Sequence, residues 1–310
     1  MDGLNLLAVS VLSRAFVAGT PLLFGTLGEI YAERAGILNL GVEGMISVGA
    51  VSAFGVAYTT GNPWLGLLAG GLAAAFLALI HAFATIHLKA NQIVSGLALT
   101  MFGIGLSGLL GKAYIGVPLP CKFSAVSVPY LCKIPILGPS LFSRDPLLYL
   151  SVPVTVFLWF LLFKTRWGIS IRSVGENPAA SDAMGVKVYR VQYLCVITGG
   201  LLSGFAGAYL SLAYTPSWIE GMVGGRGWIV IALTIFAGWN PIRAFIGAYL
   251  FGGIYVLQYL LQPLGISPNI LMMLPYITTL FVLFLGASES LKKKMGSPAS
   301  LGVAYKRGEK

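Results

Sequence analysis

Val42-Glu43-Gly44-Met45 recurs 177 residues later as Ile219-Glu220-Gly221-Met222. The chain around the two copies continues in one order. Asn62-Pro63 recurs as Asn240-Pro241 and Asn91 as Asn269, each at an offset of 178. Each copy is followed by an apolar run, an Asn-Pro turn, a second run, a turn containing Asn and a third run. Landmarks kept in order at nearly one offset mark an internal repeat. Apolar runs and their punctuation place nine membrane spans, at 15–35, 41–58, 64–86, 92–111, 146–163, 191–213, 226–239, 244–262 and 270–287. The offset contains an odd number of crossings, so the halves, about 14–112 and 190–287, run in opposite senses through the bilayer. Inverted repeats of this kind are the architecture of many transporters, because exchanging the conformations of the halves exchanges the side that is open. The expected fold class is all-α and integral to the membrane, with about nine transmembrane helices and an inverted internal repeat in one transmembrane domain, 1–310.

Composition agrees. The 310 residues are 57% hydrophobic and 10% charged, with a mean hydropathy of +0.85. Soluble domains carry about 25% charged residues, so a water-facing enzyme, a disordered chain and a nucleic-acid-binding domain are excluded as readings. The 40 glycines are about twice ordinary usage, which suits closely packed and broken helices. The N-terminal MDGLNLLAVS has no basic n-region, so no cleavable signal peptide is expected.

Positive charge sets the orientation. The stretch 164–190 carries Lys164, Arg166, Arg172, Lys187 and Arg190. The tail 288–310 carries Lys292, Lys293, Lys294, Lys306, Arg307 and Lys310. With both inside, Arg34, Lys89 and Arg243 also fall inside. Lys112, Lys122, Lys133, Arg144 and Arg226 fall outside. The N-terminus is then out and the C-terminus cytoplasmic. The external loop 112–145 holds Cys121 and Cys132, which either form a disulfide in an oxidising compartment or stay as two free thiols. Cys195 reads as packing inside a span.

The most unusual run is GEIYAERAGILNLGVEGM, residues 28–45, in which Glu29, Glu33, Arg34 and Glu43 sit in an apolar region. Such groups are costly in lipid and face protein or water. Gly36 and Gly41 permit a chain break, which places Glu43 in the first turn of the next helix. Two readings stand side by side. In one, a discontinuous helix lines a pathway, with Asn39, Glu43, Trp218 and Glu220 as its groups. In the other, Glu43 and Glu220 favour helix N-termini, and Glu29 or Glu33 pairs with Arg34. Gly224-Gly225-Arg226-Gly227 reads as an external gate or a flexible turn; it lacks the ending of a phosphate loop. The cytoplasmic run Gly175-Glu176-Asn177-Pro178-Ala179-Ala180 starts a short helix, with Asn177 at the N-cap, Pro178 at the first position and Gly185 as the stop. A small-residue helix between two spans is a docking element or, in the plainer reading, an amphipathic surface loop. His81 and His87 read as structural and no metal set accompanies them. No ATP-binding or hydrolase motif is present, so the chain reads as a transport subunit and not an enzyme, with no cofactor of its own.

Residues 14–287 resemble the permease subunits of bacterial ABC importers in the branched-chain amino acid and ribose superfamily, a type II ABC importer permease-like fold. GEIYAERAGILNLGVEGMISVGA, residues 28–50, is similar to the nucleoside branch of that superfamily. Sugar permeases tend to have an Ile-Asp-Leu-Ser-Val-Gly run where this chain has Ile37-Leu38-Asn39-Leu40-Gly41-Val42-Glu43-Gly44. The resemblance implies a bacterial cytoplasmic (inner) membrane location and a partner ATPase that holds ATP and Mg. It also implies a second, paralogous permease, this chain being the shorter of the two, and a nucleoside-binding lipoprotein outside. The run 175–180 would be the coupling helix that docks on the ATPase. A sugar (ribose-like) importer permease is one rival. A proton-coupled secondary transporter relaying through Glu29, Glu33 and Glu43 is another.

Overall fold

The computed structural model describes residues 3–286 and 296–307. The last residue of the expected ninth span and, in the tail, Lys292, Lys293, Lys294 and Lys310 lie outside the described residues.

Helix α1 (Gly3–Arg34) ends in a break at 35–41, after which α2 (Val42–Thr60), α3 (Pro63–Ala82) and α4 (Gln92–Gly111) follow. The 112–145 loop contains a two-stranded antiparallel ribbon, β1 (Val126–Ser127) with β2 (Ser143–Arg144), and the short α5 (Leu137–Leu141). Then come α6 (Pro146–Lys164), α7 (Arg166–Glu176), α8 (Pro178–Ala183) and α9 (Val188–Tyr209). The last elements are α10 (Arg226–Phe236), α11 (Pro241–Leu261), α12 (Pro268–Leu271) and α13 (Leu274–Gly286). Single π-turns extend α3 and α9 at Phe83–His87 and Leu210–Tyr214.

Seven stretches are long and apolar enough to cross a bilayer: Val9–Arg34, Val42–Thr60, Pro63–His87, Gln92–Tyr114, Pro146–Lys164, Val188–Tyr214 and Pro241–Leu264. They coincide with seven of the nine expected spans. The other two correspond to the shorter apolar helices Arg226–Phe236 and Asn269–Phe281. Helix α10 has 11 residues, about 17 Å at 1.5 Å per residue, roughly half of a 30 Å hydrocarbon core.

The helix starts follow from local chemistry. Asn62 accepts from Trp64 N at 2.9 Å and Asn240 from Ile242 N at 3.0 Å, and a proline opens both helices. The Asn-Pro landmarks therefore do the same work in both halves. The third pair differs: Asn91 caps α4, accepting from Ile93 N at 2.9 Å, whereas Asn269 lies within α12. The first pair differs too, since Glu43 sits in the first turn of α2 while Glu220 lies in a turn before α10 begins.

Helices α2, α3 and α9 form the centre, with α1 against α9 and α11. At their crossing a Cβ on Gly49 would stand 2.7 Å from Gly204 Cα, and one on Gly70 would stand 2.6 Å from Gly49 O. Only glycine lets the three backbones approach this closely. The exposed apolar side chains are those expected at a lipid face, such as Leu68, Leu72 and Phe76 along α3 and Leu97, Met101 and Phe102 on α4.

Candidate functional site

The site is built around the 35–41 break. Helix α1 stops in a Schellman arrangement: Gly36, at φ +86°, donates to Glu33 O at 2.8 Å, and Ile37 donates to Ala32 O at 3.1 Å. The freed backbone groups would be expensive in lipid, and side chains take them up. Leu38 N donates to Gln92 Oε1 at 2.6 Å. His81 bonds Leu38 O at 3.1 Å and Ser95 Oγ at 3.0 Å through its two ring nitrogens. Thr100 donates to Leu40 O at 2.7 Å. Asn39, fully buried, accepts from Gly41 N at 3.0 Å and donates its own backbone N–H to Glu29 Oε1 at 3.2 Å. Asn39 therefore organises the break, and its amide nitrogen faces Met45 Sδ at 3.6 Å.

Glu43 reaches into the other half of the chain. Its carboxylate accepts from Gly225 N at 2.8 Å and from Gly227 N at 2.6 Å. It thus caps the N-terminus of α10, a helix whose N-cap Gly225 has no side chain to offer. At the other end of α10, Trp239 Nε1 donates to Glu33 Oε2, and Arg34 donates to Trp239 O and Gly238 O, each at 3.2 Å. Helix α10 therefore runs from the end of α1 to Glu43, which sets Glu43 about 17 Å, half a hydrocarbon thickness, from that end. The 35–41 segment and the 215–225 segment approach Glu43 from opposite sides, so neither break is confined to a surface. The expected pairing of Glu29 or Glu33 with Arg34 is replaced: Arg34 donates to three backbone carbonyls, the third being Gly296 O at 3.1 Å.

Trp218 and Glu220 lie in the 215–225 segment, but their side chains meet other partners. Trp218 is buried with Ala50, Val51 and Phe54, and Gly111 has no side chain because the indole occupies that space. Glu220 is exposed beside Gly108. Asn39 and Glu43 are thus brought together at the first break, whereas Trp218 and Glu220 belong to the second and pack on other partners. Nearby, a cavity of about 400 Å³ is lined by Arg14, Arg144, Tyr214, Tyr255 and Tyr259. The guanidinium of Arg226 lies 5.3 Å from the Tyr214 ring and 5.1 Å from the Tyr255 ring.

The 175–180 run has the local structure its residues predict. Asn177 Oδ1 accepts from Ala180 N at 2.9 Å, and Pro178 opens α8. The helix ends in a second Schellman stop, with Gly185 at φ +83° donating to Asp182 O at 2.9 Å and Val186 to Ser181 O at 3.0 Å. Glu176, Asn177, Ala179, Ala180, Ala183 and Met184 are exposed, while Gly175 is buried. Helix α7 before it was not expected. Its 11 residues are too few to hold a helix alone, and burial of Ile171 and Val174 in the core fixes it. Gln92, Ser95 and Thr100 were likewise missed, because single polar residues in an apolar helix carry no signal of which backbone they will meet.

Cys121 and Cys132 are both free thiols, so the disulfide expected as one alternative is not formed. Cys121 Sγ instead donates to Ala57 O at 3.2 Å, and burial raises its pKa. Cys195 is buried. Two thiols per chain are expected to react with a maleimide in detergent without reductant, the third only after unfolding. A need for reductant before the first two react would restore the bond.

Residues 11–283 match the family model described as the permease component of the branched-chain amino acid transport system. The chain belongs to this family. A putative glucose ABC transporter permease protein of Haloferax volcanii is 39% identical, over 97% of this chain and 98% of its own length. A guanosine ABC transporter permease protein of Bacillus subtilis is 34% identical over the whole of both chains. A nucleoside ABC transporter permease protein of Lactococcus lactis is 33% identical, over 98% of this chain and 99% of its own length. The chain is therefore a multi-pass membrane permease subunit of an ABC transporter and not an enzyme. Hydrolysis of ATP belongs to a separate chain. Membership also implies a substrate-binding protein that supplies the permease.

Proposed function

We propose that this permease translocates nucleosides, handed to it by an extracytoplasmic binding lipoprotein, as one of two paralogous subunits in a cytoplasmic membrane. The observation that carries the substrate is the pair of full-length relatives named for guanosine and nucleosides, at 34% and 33% identity. A flat base and a polar ribose call for aromatic faces and hydrogen-bonding groups. The tyrosines and arginines of the 400 Å³ cavity supply both. The 1–310 chain acts as one permease domain of nine membrane passages in two inverted halves, α10 and α13 completing the seven long spans. The Asn62 and Asn240 caps and the two breaks that flank Glu43 support that reading.

In this arrangement the end bearing Arg34, 164–190 and the tail is cytoplasmic, and 112–145 is outside. Helix α8 is the coupling helix, and its exposed small residues suit a groove on the ATPase. Asn39, Glu43, Trp218 and Glu220 border the route, with Asn39 and Glu43 acting by holding the breaks. ATP and Mg bind the ATPase partner.

The relative named as a putative glucose permease, at 39% identity, favours a second reading, a sugar importer. One experiment separates the two. The permease, its paralogue and the ATPase are placed in proteoliposomes with ATP inside and the binding lipoprotein outside, and uptake of labelled inosine is followed. ATP-dependent uptake blocked by guanosine and untouched by ribose or glucose is the expected result. Uptake blocked by the sugars would transfer the permease to the second reading.

A further inference from the structure

Helix α8 has six residues, separated from α7 by Asn177 alone and followed by a turn at 184–185. A helix this short does not hold its own position. Residues 296–307 supply what it lacks. Ser300 lies at the end of α7: its backbone N–H donates to Gly175 O at 2.9 Å and its hydroxyl to the same oxygen at 2.6 Å. Further along, Tyr305 OH and Arg307 Nε donate to Asp182 Oδ2 of α8 at 3.1 and 2.8 Å. The Tyr305 ring packs 5.8 Å from that of Tyr189 at the start of α9.

The same segment is tied to the break. Gly302 N donates to Gly36 O at 3.4 Å, Arg34 Nη1 donates to Gly296 O at 3.1 Å, and a Cβ on Gly36 would stand 2.6 Å from Ser300 Oγ. Gly175 in turn packs directly on Arg34 O, where no side chain would fit. One stretch of twelve residues, 296–307, therefore touches α8, the end of α7, and the turn that opens the discontinuity at Glu43.

We propose that residues 296–307 form a strap that passes displacement of α8 to the 35–41 break, with Ser300 and Tyr305 as positioning residues. This rests on α8 being the element that meets the ATPase. The Arg307–Asp182 pair is exposed on the arginine side, 73% against 20%, so it contributes little to holding the strap. Ser300, wedged between Gly36 and Gly175, is the anchor.

The test uses the assembled transporter in proteoliposomes and reads substrate taken up per ATP hydrolysed. Ser300→Ala keeps the size and removes the hydroxyl; the ratio is expected to fall by about threefold or more, and removal of 296–310 should lower it further. Ser300→Thr, which retains a hydroxyl, should restore most of it. Subunit assembly and ATPase rate are expected to stay within about twofold of the parent. Ala180→Trp is run alongside. If it uncouples hydrolysis from uptake while Ser300→Ala and the shortened chain keep the parental ratio, the strap is wrong and the coupling helix stands. If Ala180→Trp leaves the ratio unchanged, the coupling reading fails. Should the shortened chain not assemble, Ser300→Ala against Ser300→Thr decides, because a purely structural loss would lower ATPase and uptake together and leave the ratio intact.

Discussion

Replacing Glu43 with alanine is expected to destabilise the permease by about 3 kcal/mol, because two N–H groups, one buried and one part-buried, lose a charged acceptor at once. The donors are Gly225 N and Gly227 N, at 2.8 and 2.6 Å. Nothing nearby replaces the carboxylate: the N-cap Gly225 has no side chain, and α10 has no acidic residue in its first turn. Glu43 is itself buried, so solvent does not repair the loss as it would at an exposed cap. Glu43→Gln tests the same point more finely. Its amide oxygen accepts from one N–H, but its NH₂ would face the other, so it should recover only part of the stability. Thermal unfolding of the purified permease in detergent or nanodiscs reads the effect, as a midpoint lower by several degrees. An alanine variant with the parental midpoint would mean that Glu43 does not hold α10. Loss of uptake at unchanged stability would instead make Glu43 a group of the route itself.

Ala180→Trp should abolish coupling with little effect on the fold. Ala180 is exposed, and only its backbone is used internally, its N–H donating to Asn177 Oδ1 and its carbonyl accepting from Met184 N at 3.1 Å. An indole there projects outward and disturbs no core contact. It would, however, overfill a partner groove shaped for Ala179, Ala180 and Ala183. Overpacking of a fitted surface costs about 1–3 kcal/mol, which corresponds to a loss of about fivefold to 150-fold in productive docking. Uptake is expected to fall by that factor while the ATPase continues to turn over. Normal uptake per ATP in this variant would remove α8 from the docking role.

Residues read one after another fix the membrane class, the seven long spans, the turns at Asn62, Asn91 and Asn240, the helix start at Asn177 and the stop at Gly185. These are local properties. Twenty apolar residues have one low-energy solution in lipid. An Asn followed by Pro caps a helix through atoms two or three residues away. The same locality hides the length of α10, which has 11 residues within the expected span 226–239, since an apolar run does not reveal where a helix stops.

Tertiary structure alone decided the rest. Glu43 could have been one more acid at a helix start; it caps α10, and its partners lie 182 and 184 residues away. His81, read as structural, has no sequence mark for the Leu38 carbonyl that it holds. Arg34, expected beside an acid, instead binds carbonyls at Trp239, Gly238 and Gly296. The tail, read only as a cytoplasmic basic segment, carries Ser300 onto Gly175. In each case a buried or semi-buried polar group must be satisfied, but which group satisfies it depends on how distant helices cross. Here those crossings are set by glycines such as Gly49, Gly70 and Gly204, whose effect appears only when three backbones meet.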